Sequence, residues 1–384
     1  MLSNPRSLAR RRNIRRLRWG IMNTKWKTIT RKTLACAMGA GAIGAAGVLA
    51  SCASSQASKA STAGNVAGKL EVFDMHCDTV TRDAMAAYPP YSDEGDPIRG
   101  TLLSNNGEVS ADRMGDARWV QCFAIWMNDN DSKISHIDWY HQSAKWFHEQ
   151  MEQHSDRFAQ ARSFAEIPGI LDSGKVAAVL TVENAACLDA GFDVVDEFVE
   201  DGVLVSGITW NAKNVLGSGI ETDEGLTDMG KRYITTLEEL GIVVDVSHLN
   251  DTGFWELEKI ATKPYIATHS NSRAVCGHKR NLTDDQFKAI MARGGLVGLN
   301  FHRAFVCEDA RLFTFDELAA HVDHWLELGG EDCIALGSDR DGANIPTWLA
   351  DCNSQPYLFS LFEEKFGESI ARKLFSENAR KFFK

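Results

Sequence analysis

A His-x-Asp pair, His76 and Asp78, follows directly after an apolar run that begins at Leu70. In an extended backbone, residues two apart point to the same side, so the imidazole and the carboxylate are expected side by side. Neutral imidazole nitrogens and carboxylate oxygens are ligands that zinc takes in proteins. The spacing therefore predicts a pair of metal ligands at the end of a first strand.

Further ligand types follow later apolar runs in the same way. Taken singly, a His after a strand usually makes ordinary hydrogen bonds, and an Asp there often caps a helix. Together, the coincidences argue for one shared site. Three imidazoles with two or three carboxylates exceed the needs of one tetrahedral ion and suit two zinc ions that share a carboxylate. The additional candidates are Glu183, His248, His269 and Asp339.

Eight apolar runs of strand length alternate with helix-like segments between residues 69 and 384, which predicts a single α/β domain of the (β/α)8 TIM-barrel type. Several runs are almost continuously apolar, as parallel strands buried on both faces should be. In such a barrel the active site lies at the C-terminal ends of the strands, where the candidate ligands fall. The predicted strands are 71–75, 119–126, 176–182, 204–209, 243–247, 265–268, 295–300 and 333–337.

Six other histidines have no regularly spaced Cys or acidic partner, so we expect them to be solvated residues on helix faces. They include four in the polar segment 132–163, together with His321 and His324. Two helix starts show the capping-box pattern, Thr283 with Gln286 and Thr314 with Glu317.

Residues 1–51 have the features of an export leader, with eleven Lys or Arg, no Asp or Glu, and a final apolar stretch over 34–50. This stretch ends in Leu49-Ala50-Ser51-Cys52, which looks like the lipobox of bacterial lipoproteins. Cys52 is therefore predicted to carry lipid, and the small polar residues 52–68 to form a flexible tether. We expect an exported protein, anchored by lipid to the bacterial cell membrane on its extracytoplasmic side.

Removing the 11 basic residues of the leader from the 41 Lys and Arg leaves 30, against 52 Asp and Glu, a net charge of −22. This charge argues against nucleic-acid partners and against electrostatic docking to anionic lipid. Seven cysteines follow Cys52, an odd number without paired spacing, which favours buried free thiols over a disulfide framework.

The pattern as a whole resembles the membrane dipeptidase (renal dipeptidase) family, zinc peptidases within the amidohydrolase-like barrels. The resemblance covers nearly all of residues 70–384. Its most specific part runs from His269 to Arg280 and Asn281. The matching runs are 74–78, 183–184, 245–248, 268–273, 280–285 and 337–342.

This resemblance implies a role for each candidate. Glu183 becomes the bridge between two zinc ions, the first held with His76 and Asp78 and the second with His248 and His269. The implied reaction is hydrolysis of a dipeptide by a metal-bridging hydroxide, with Glu183 and Asp339 as the catalytic carboxylates. Family members often accept a D-residue at the C-terminal position of the substrate.

The substrate's two charged ends are assigned in the same way. Arg280 binds the C-terminal carboxylate, for which a guanidinium fork is well shaped. Asp339 meets the free amine and transfers a proton to the leaving group. Asp341 is expected merely to cap or to brace the loop.

One position departs from the family. A substrate-polarising His commonly follows the fourth strand, whereas this chain has Trp210 there and Asn211 next to it. Both residues are expected to contact the substrate. Asn211 could donate a hydrogen bond to it instead, or the second zinc could polarise the carbonyl alone. Two other functions stay open: a different metal-dependent amidohydrolase, acting on N-acyl amino acids or lactones, and a lipoprotein that binds peptides without cleaving them. The expected partners are a small peptide, the membrane through the lipid, and a second copy in a homodimer.

Overall fold

The computed structural model describes residues 70–86, 99–129 and 133–384. The predicted leader (1–51), the tether (52–68) and the lipidation site Cys52 lie outside the described residues and stay predictions. Within the described residues, no helix is long and apolar enough to cross a membrane.

Eight strands of the described residues form one parallel sheet. Seven follow the order β6-β5-β4-β2-β1-β8-β7, while the short β3 pairs only with β4. The strands are β1 (Glu71–Cys77), β2 (Arg118–Trp126), β3 (Phe158–Gln160), β4 (Val176–Glu183), β5 (Val203–Gly207), β6 (Val243–Asp245), β7 (Val297–Leu299) and β8 (Ile334–Leu336).

The ring is closed between β6 and β7 by residues 265–268, which are predicted as the sixth strand. This segment forms only isolated parallel bridges, from Ile266 to Asp245 and from Ala267 to Val297. The amide of Ile266 donates to Val244 at 3.0 Å, and that of Ala267 donates to Leu296 at 2.9 Å. The predicted (β/α)8 barrel is confirmed, with its sixth position occupied by a bridging segment.

Beyond Ile266, the backbone hydrogen bonds between neighbouring strands are replaced by hydrogen bonds to a side chain. The carboxylate of Asp245 accepts hydrogen bonds at 2.9 Å from the amides of both Ser247 and Thr268. A regular strand would bond these amides to backbone carbonyls, so the buried carboxylate ends the strand pairing here. The prediction of a full sixth strand is wrong for this reason.

The sequence pattern also does not predict β3, a three-residue strand that follows a long polar helix and pairs with Val176–Ala178 beside the main ring. The helices surround the ring, as parallel crossover connections require. They are Thr79–Ala84, Ala111–Met114, His136–Gln153, Ile167–Asp172, Val194–Asp201, Asp228–Leu240, Asp251–Ile260, Asp284–Ala292, Arg303–Val306, Phe315–Glu327, Gln355–Phe366, Glu368–Arg372 and Asn378–Phe382. Short 3-10 helices span Phe164–Glu166, Ala185–Asp189, Ala310–Leu312 and Cys352–Ser354, and a π-helical turn spans Lys373–Glu377.

Local sequence signals account for several helix starts. Both predicted capping boxes are present: the Thr283 and Thr314 side chains each accept from the third helical amide, and Gln286 and Glu317 reach back. Thr227 and Asn250 cap two more helices, accepting from Gly230 and Gly253. These bonds satisfy amides that have no partner within the helix.

The apolar side chains form two layers. A smaller cluster includes Phe73, Val179, Leu204 and Ile266, from strands all around the ring, and so fills the barrel. A larger cluster lies between the strands and the helices. All seven described cysteines are free and six are buried, as expected.

One histidine contradicts its prediction. His321, expected on a solvated helix face, is fully buried. Its Nε2–H donates to the carbonyl of Val306 at 2.8 Å, and its Nδ1 accepts from the amide of Ser272 at 3.1 Å. The imidazole thus ties the loops after residues 265–268 and β7 to helix Phe315–Glu327, a contact between distant segments that helical spacing does not reveal. His324 remains partly exposed and pairs with Asp284.

Candidate active site

The C-terminal ends of the strands surround a cleft of ≈ 620 Å³. Every candidate side chain from the sequence is at this end of the barrel. Those that line the cleft are Asp78, Glu183, Trp210, Asn211, His248, Arg280, Asp339 and Asp341. His76 and His269 are buried beneath them, at 2% and 1% exposure.

His76 and Asp78 come together as predicted, although by a different geometry. The pairing of β1 with β2 changes register between Asp74 and Cys77. Asp78 then leaves the extended conformation, with φ −102° and ψ 9°. The turn brings Asp78 Oδ2 to 3.3 Å from His76 Nε2. Gly342 makes room for it, since a Cβ there would lie 1.9 Å from the same oxygen.

Glu183, the last residue of β4, divides its carboxylate between two groups of side chains. Its Oε2 lies 3.1 Å from His76 Nε2. Its Oε1 lies 2.7 Å from His248 Nε2 and 3.7 Å from His269 Nε2. The two oxygens therefore face the two ligand sets that the sequence assigns to separate ions.

The hydrogen bonds of His248 and His269 fix their tautomers. His248 Nδ1–H donates to Asn211 Oδ1 at 3.0 Å. His269 Nδ1–H donates to Thr268 Oγ1 at 2.8 Å, and Thr268 donates in turn to Asp245 Oδ2 at 2.5 Å. Both Nε2 atoms are then lone-pair acceptors, which is the state in which imidazole binds metals.

These acceptors face one another without a proton between them. The Nε2 atoms of His248 and His269 lie 2.9 Å apart beside Glu183 Oε1. In addition, His76 Nε2 and Asp78 Oδ1 are buried without a hydrogen-bond partner. Burying unpaired acceptors together is costly unless a cation is bound between them. The donor set therefore fits a divalent metal.

Two groups of side chains have converging ligand atoms, each within 4.8 Å of one another. One is His76, Glu183 and His269, and the other is His76, Asp78 and Asp339. Asp339 thus lies closer to the ligands than its assigned role suggests, with Oδ1 at 4.0 Å from His76 Nε2. Oxygen and imidazole ligands of this mixture are typical of zinc sites.

Burial and mutual charge shift the titration of these groups. Burial lowers the pKa of His248 and of His269 well below the usual range, and the nearby charges of Arg280 and His76 act in the same direction. Burial raises the pKa of Glu183 to about 8 despite the opposing charge of His76. Burial also lowers the pKa of His76, but the carboxylates of Glu183 and Asp78 outweigh this and raise it. Burial thus keeps the imidazoles of His248 and His269 neutral, with lone pairs that can bind a metal, whereas the neighbouring carboxylates hold His76 toward its charged form.

Asp339 is held by a neighbouring strand. Its Oδ2 accepts from Asn300 Nδ2 at 2.9 Å, and burial raises its pKa to about 7. Its backbone has φ +61°, and His248 has φ +70°. Asn184 and Asp341 are the other non-glycine residues with positive φ among those described. Such strain is tolerated where a turn must aim a side chain at a site.

Arg280 is a buried cation without an ion-pair partner among the described residues. It is 4% exposed, and its Nε makes no hydrogen bond. Its Nη2 donates to the carbonyl of His269 at 3.3 Å, and the guanidinium lies 5.5 Å above the ring of Phe305. A buried guanidinium with unused donors is well placed to receive an anion in the cleft.

Asn211 and Asp341 have structural partners that the sequence did not reveal. Asn211 Oδ1 is occupied by His248, which leaves its amide NH2 as the group for a ligand. Asp341 Oδ2 accepts from Thr79 Oγ1 at 2.6 Å and its Oδ1 accepts from the amide of Glu108 at 2.7 Å, while the amide of Asp341 donates to Glu108 Oε2 at 2.7 Å. It therefore braces the loop, one of the two expectations for it.

Four positioning residues are absent from the set predicted from the sequence. Asp245 and Thr268 orient His269, and Asn300 orients Asp339. Asp74 similarly accepts from Ser338 Oγ at 2.5 Å and from its amide at 2.9 Å, next to Asp339. The sequence does contain a signal for Asp245, which is a charged residue inside the otherwise apolar run 243–246. A buried carboxylate needs hydrogen-bond partners, so such a residue indicates a positioning role.

Comparison with protein families gives a match over most of the chain. The sequence profile of the family described as membrane dipeptidase (Peptidase family M19) matches residues 61–384. A protein of Acinetobacter calcoaceticus, described as an uncharacterized protein in the PQQ-III 3' region, is 30% identical over 292 residues. The alignment covers 67% of this chain and 90% of that protein.

Two solved structures are also similar. A metallo peptidase from Rhodobacter sphaeroides, liganded with a phosphinate mimic of the dipeptide L-Ala-D-Ala, is 27% identical with a TM-score of 0.72. The dipeptidase AC, a metallo peptidase of family M19, is 28% identical with a TM-score of 0.71. Each similarity covers 82% of this chain and 98% of the other.

Proposed function

The chain belongs to the membrane dipeptidase family, and from that premise we propose that it is a zinc-dependent dipeptidase. One observation carries the proposal. The buried guanidinium of Arg280, which has no ion-pair partner in the part of the chain that the structure describes, shares a cleft with a cluster of buried metal-type acceptors centred on Glu183. A dipeptide has the matching features, a free carboxylate and a peptide carbonyl a short distance away.

Two ions are proposed, because Glu183 directs one oxygen to each ligand set. Bound zinc supplies a Lewis acid for the peptide carbonyl and makes water acidic enough to act as a nucleophile near neutral pH. The proposed ligands are His76, Asp78 and Glu183 for one ion, and Glu183, His248 and His269 for the other.

The protein's own side chains bind and orient the substrate. Arg280 takes the C-terminal carboxylate through its unused donors. Asp339, fixed at Oδ2 by Asn300, takes the free amine and passes a proton to the leaving group. Asn211 uses its NH2 group toward the substrate carbonyl while its oxygen orients His248. Recognition of both charged ends limits the substrate to two residues.

The C-terminal residue is proposed to include D-amino acids. The support is the Rhodobacter sphaeroides relative, which binds a mimic of L-Ala-D-Ala. Its identity to this chain is 27%, so the extension needs its own measurement.

The test uses the full chain, purified and loaded with zinc. Metal content is measured alongside cleavage of a dipeptide library that contains L- and D-residues at the C-terminal position, the C-terminal amides, and N-acyl amino acids. We expect about two zinc ions per chain and cleavage of the free dipeptides. Equal cleavage of the amides, or turnover of acylated amino acids alone, would contradict the dipeptidase assignment.

Export and lipid anchoring at Cys52 are proposed from the leader sequence. The membrane contact is then through lipid only, with no nucleic-acid partner, and the assembly is proposed to be a homodimer. Changing Cys52→Ala should release the protein from the membrane fraction or stop its processing. A wild-type protein that carries no lipid would refute the anchor.

A further inference from the structure

Two indole rings line one side of the cleft, and none of the assigned roles accounts for them. Trp126 is the last residue of β2, and Trp210 follows β5. Both line the cleft, and their ring centroids lie 5.0 Å apart at an angle of 82°. Trp126 also packs edge-on against Trp139 at 5.9 Å. We call Trp126 and Trp210 the indole wall.

The indole wall is held rigidly. The loop after Trp210 folds back on itself, with Gly219 donating to Ala212 and Glu221 donating to Asn211, both at 2.9 Å. A Cβ at Gly219 would lie 1.8 Å from the carbonyl oxygen of Trp210, so the two backbones are in direct contact. A surface that is ordered before binding loses little conformational entropy when a ligand packs against it.

The order of the barrel places this wall opposite the cationic end of the cleft. The ring runs β1-β2-β4-β5-β6, then residues 265–268, then β7 and β8. The indole wall belongs to the β2–β5 side. Arg280 and Phe305 follow residues 265–268 and β7, on the other side. With the carboxylate of a dipeptide at Arg280, its peptide bond at the Glu183 cluster and its amine at Asp339 after β8, the side chain of its first residue is left to face the indole wall.

The chemistry of the wall favours an apolar side chain. Glu183 ends the strand between the two tryptophans, but both of its oxygens face histidines. The ring of Trp210 lies 6.2 Å from that of His248, and the apolar Ile220 also lines the cleft. The polar Asn128 lines the cleft beside the wall, but the two indole rings themselves offer apolar contact, which grows with the area that the ligand buries.

We propose that the indole wall is the subsite for the side chain of the substrate's N-terminal residue and selects large apolar residues there. The inference rests on the proposed dipeptidase function and narrows its substrates to dipeptides such as Phe-Gly or Leu-Gly. Trp210, at the position where the family commonly has His, is then a specificity-determining residue of this chain.

The experiment measures kcat/KM of the zinc-loaded full chain for Phe-Gly, Gly-Phe and Gly-Gly. In the wild type, Phe-Gly should exceed Gly-Gly by about tenfold or more, since burial of one aromatic side chain on a preformed surface supplies that much discrimination. The kcat/KM for Gly-Phe should exceed that for Gly-Gly by much less, because the Phe side chain then lies on the Arg280 side of the cleft.

Substitutions of Trp210 then test whether this residue causes the preference for Phe-Gly. Trp210→Ala should lower the Phe-Gly to Gly-Gly ratio by about tenfold, whereas Trp210→Phe should retain most of it. Any disturbance of the nearby His248 affects both substrates and cancels from the ratio. Trp255→Ala is the matched control, since Trp255 is 38% exposed on helix Asp251–Ile260 and does not line the cleft.

The outcomes separate this inference from the proposed function. Equal kcat/KM for Phe-Gly and Gly-Gly in the wild type, or an unchanged ratio in Trp210→Ala, overturns the subsite and leaves the dipeptidase intact. A preference for Gly-Phe over Phe-Gly overturns the direction of binding. Failure to cleave any dipeptide, with zinc bound, overturns the proposed function itself.

Discussion

Two groups of histidines in this protein contact carboxylates in very different ways. On helix His136–Gln153, His136, His141 and His148 each pair with one carboxylate, at 2.7, 2.6 and 3.1 Å, and their side chains are 26%, 50% and 35% exposed. At the strand ends, His76, His248 and His269 share Glu183, and none is more than 7% exposed.

The difference teaches how to distinguish an ion pair from a metal site. In an exposed pair, the imidazole N–H donates to its own carboxylate, and water can hydrogen-bond to the remaining nitrogen and oxygen atoms. In the buried group, His248 and His269 already donate through Nδ1, so their two Nε2 lone pairs face each other beside Glu183 Oε1 with no donor between the two rings. Short contacts occur in both groups. Only in the buried group do two imidazole lone pairs face each other without a donor, and this arrangement points to a metal.

The sharpest test of this contrast is the paired removal of charge, Glu183→Gln and Glu197→Gln. Losing the shared carboxylate should lower zinc occupancy at both positions and reduce kcat/KM by more than about a hundredfold, beyond the usual effect of losing an outer partner of a ligand. Glu197, which pairs with His141 on the surface, is the control and should change neither. Metal analysis and dipeptide turnover are the readouts. Full zinc content in Glu183→Gln would show that Glu183 is not a shared metal ligand and would remove the difference between the buried and the exposed histidines.

Arg280→Lys tests the other buried charge of the cleft. Lys keeps the charge but lacks the fork, so binding of the substrate carboxylate should weaken by roughly 1.5–3 kcal/mol, seen as a loss in kcat/KM for free dipeptides. The C-terminal amides, poor substrates already, should change far less. Arg293→Lys is the matched control, because Arg293 pairs with Glu258 and does not line the cleft. Equal losses for acids and amides would remove Arg280 from this role.

Thr268→Val probes the tautomer of His269. The substitution keeps the shape but removes the hydroxyl between His269 Nδ1 and Asp245, and zinc affinity should fall about tenfold, the lower end for such outer partners. Thr268→Ser restores the hydroxyl and should restore the affinity. The measurement is a competition titration with a zinc chelator. An unchanged affinity in Thr268→Val would show that the hydrogen bond does not orient the ligand.

The smallest effect is expected for His141→Gln on the helix. Its ion pair with Glu197 is half exposed, so the free energy of unfolding should change by less than about 1 kcal/mol. Zinc content and turnover should stay at the wild-type level. Denaturant unfolding and metal analysis check this together. A loss of zinc here would place the surface histidines in the same class as the buried ones.

Much of the barrel could be predicted, because strands buried on both faces leave apolar runs that are visible in one sequence. Seven of the eight predicted runs are strands in the described residues. The sixth failed because Asp245, inside an apolar run, replaces backbone partners with its carboxylate. The helix-face prediction for His321 failed because its partners, Val306 at the end of helix Arg303–Val306 and Ser272, belong to other segments of the chain.

The residue types that follow the strands can be read along the chain, since a ligand after an apolar run needs only its sequence neighbours to be recognised. His76, Glu183, His248 and His269 were found in this way, and the barrel rule placed them together. Only the tertiary structure decided how they meet. The turn at Asp78, the positive φ of His248 and Asp339, and the Asp245–Thr268–His269 chain depend on atoms brought together by the closed ring. Hydrogen bonds act over about 3 Å, so the proton positions that define this site are set by packing and not by spacing along the chain.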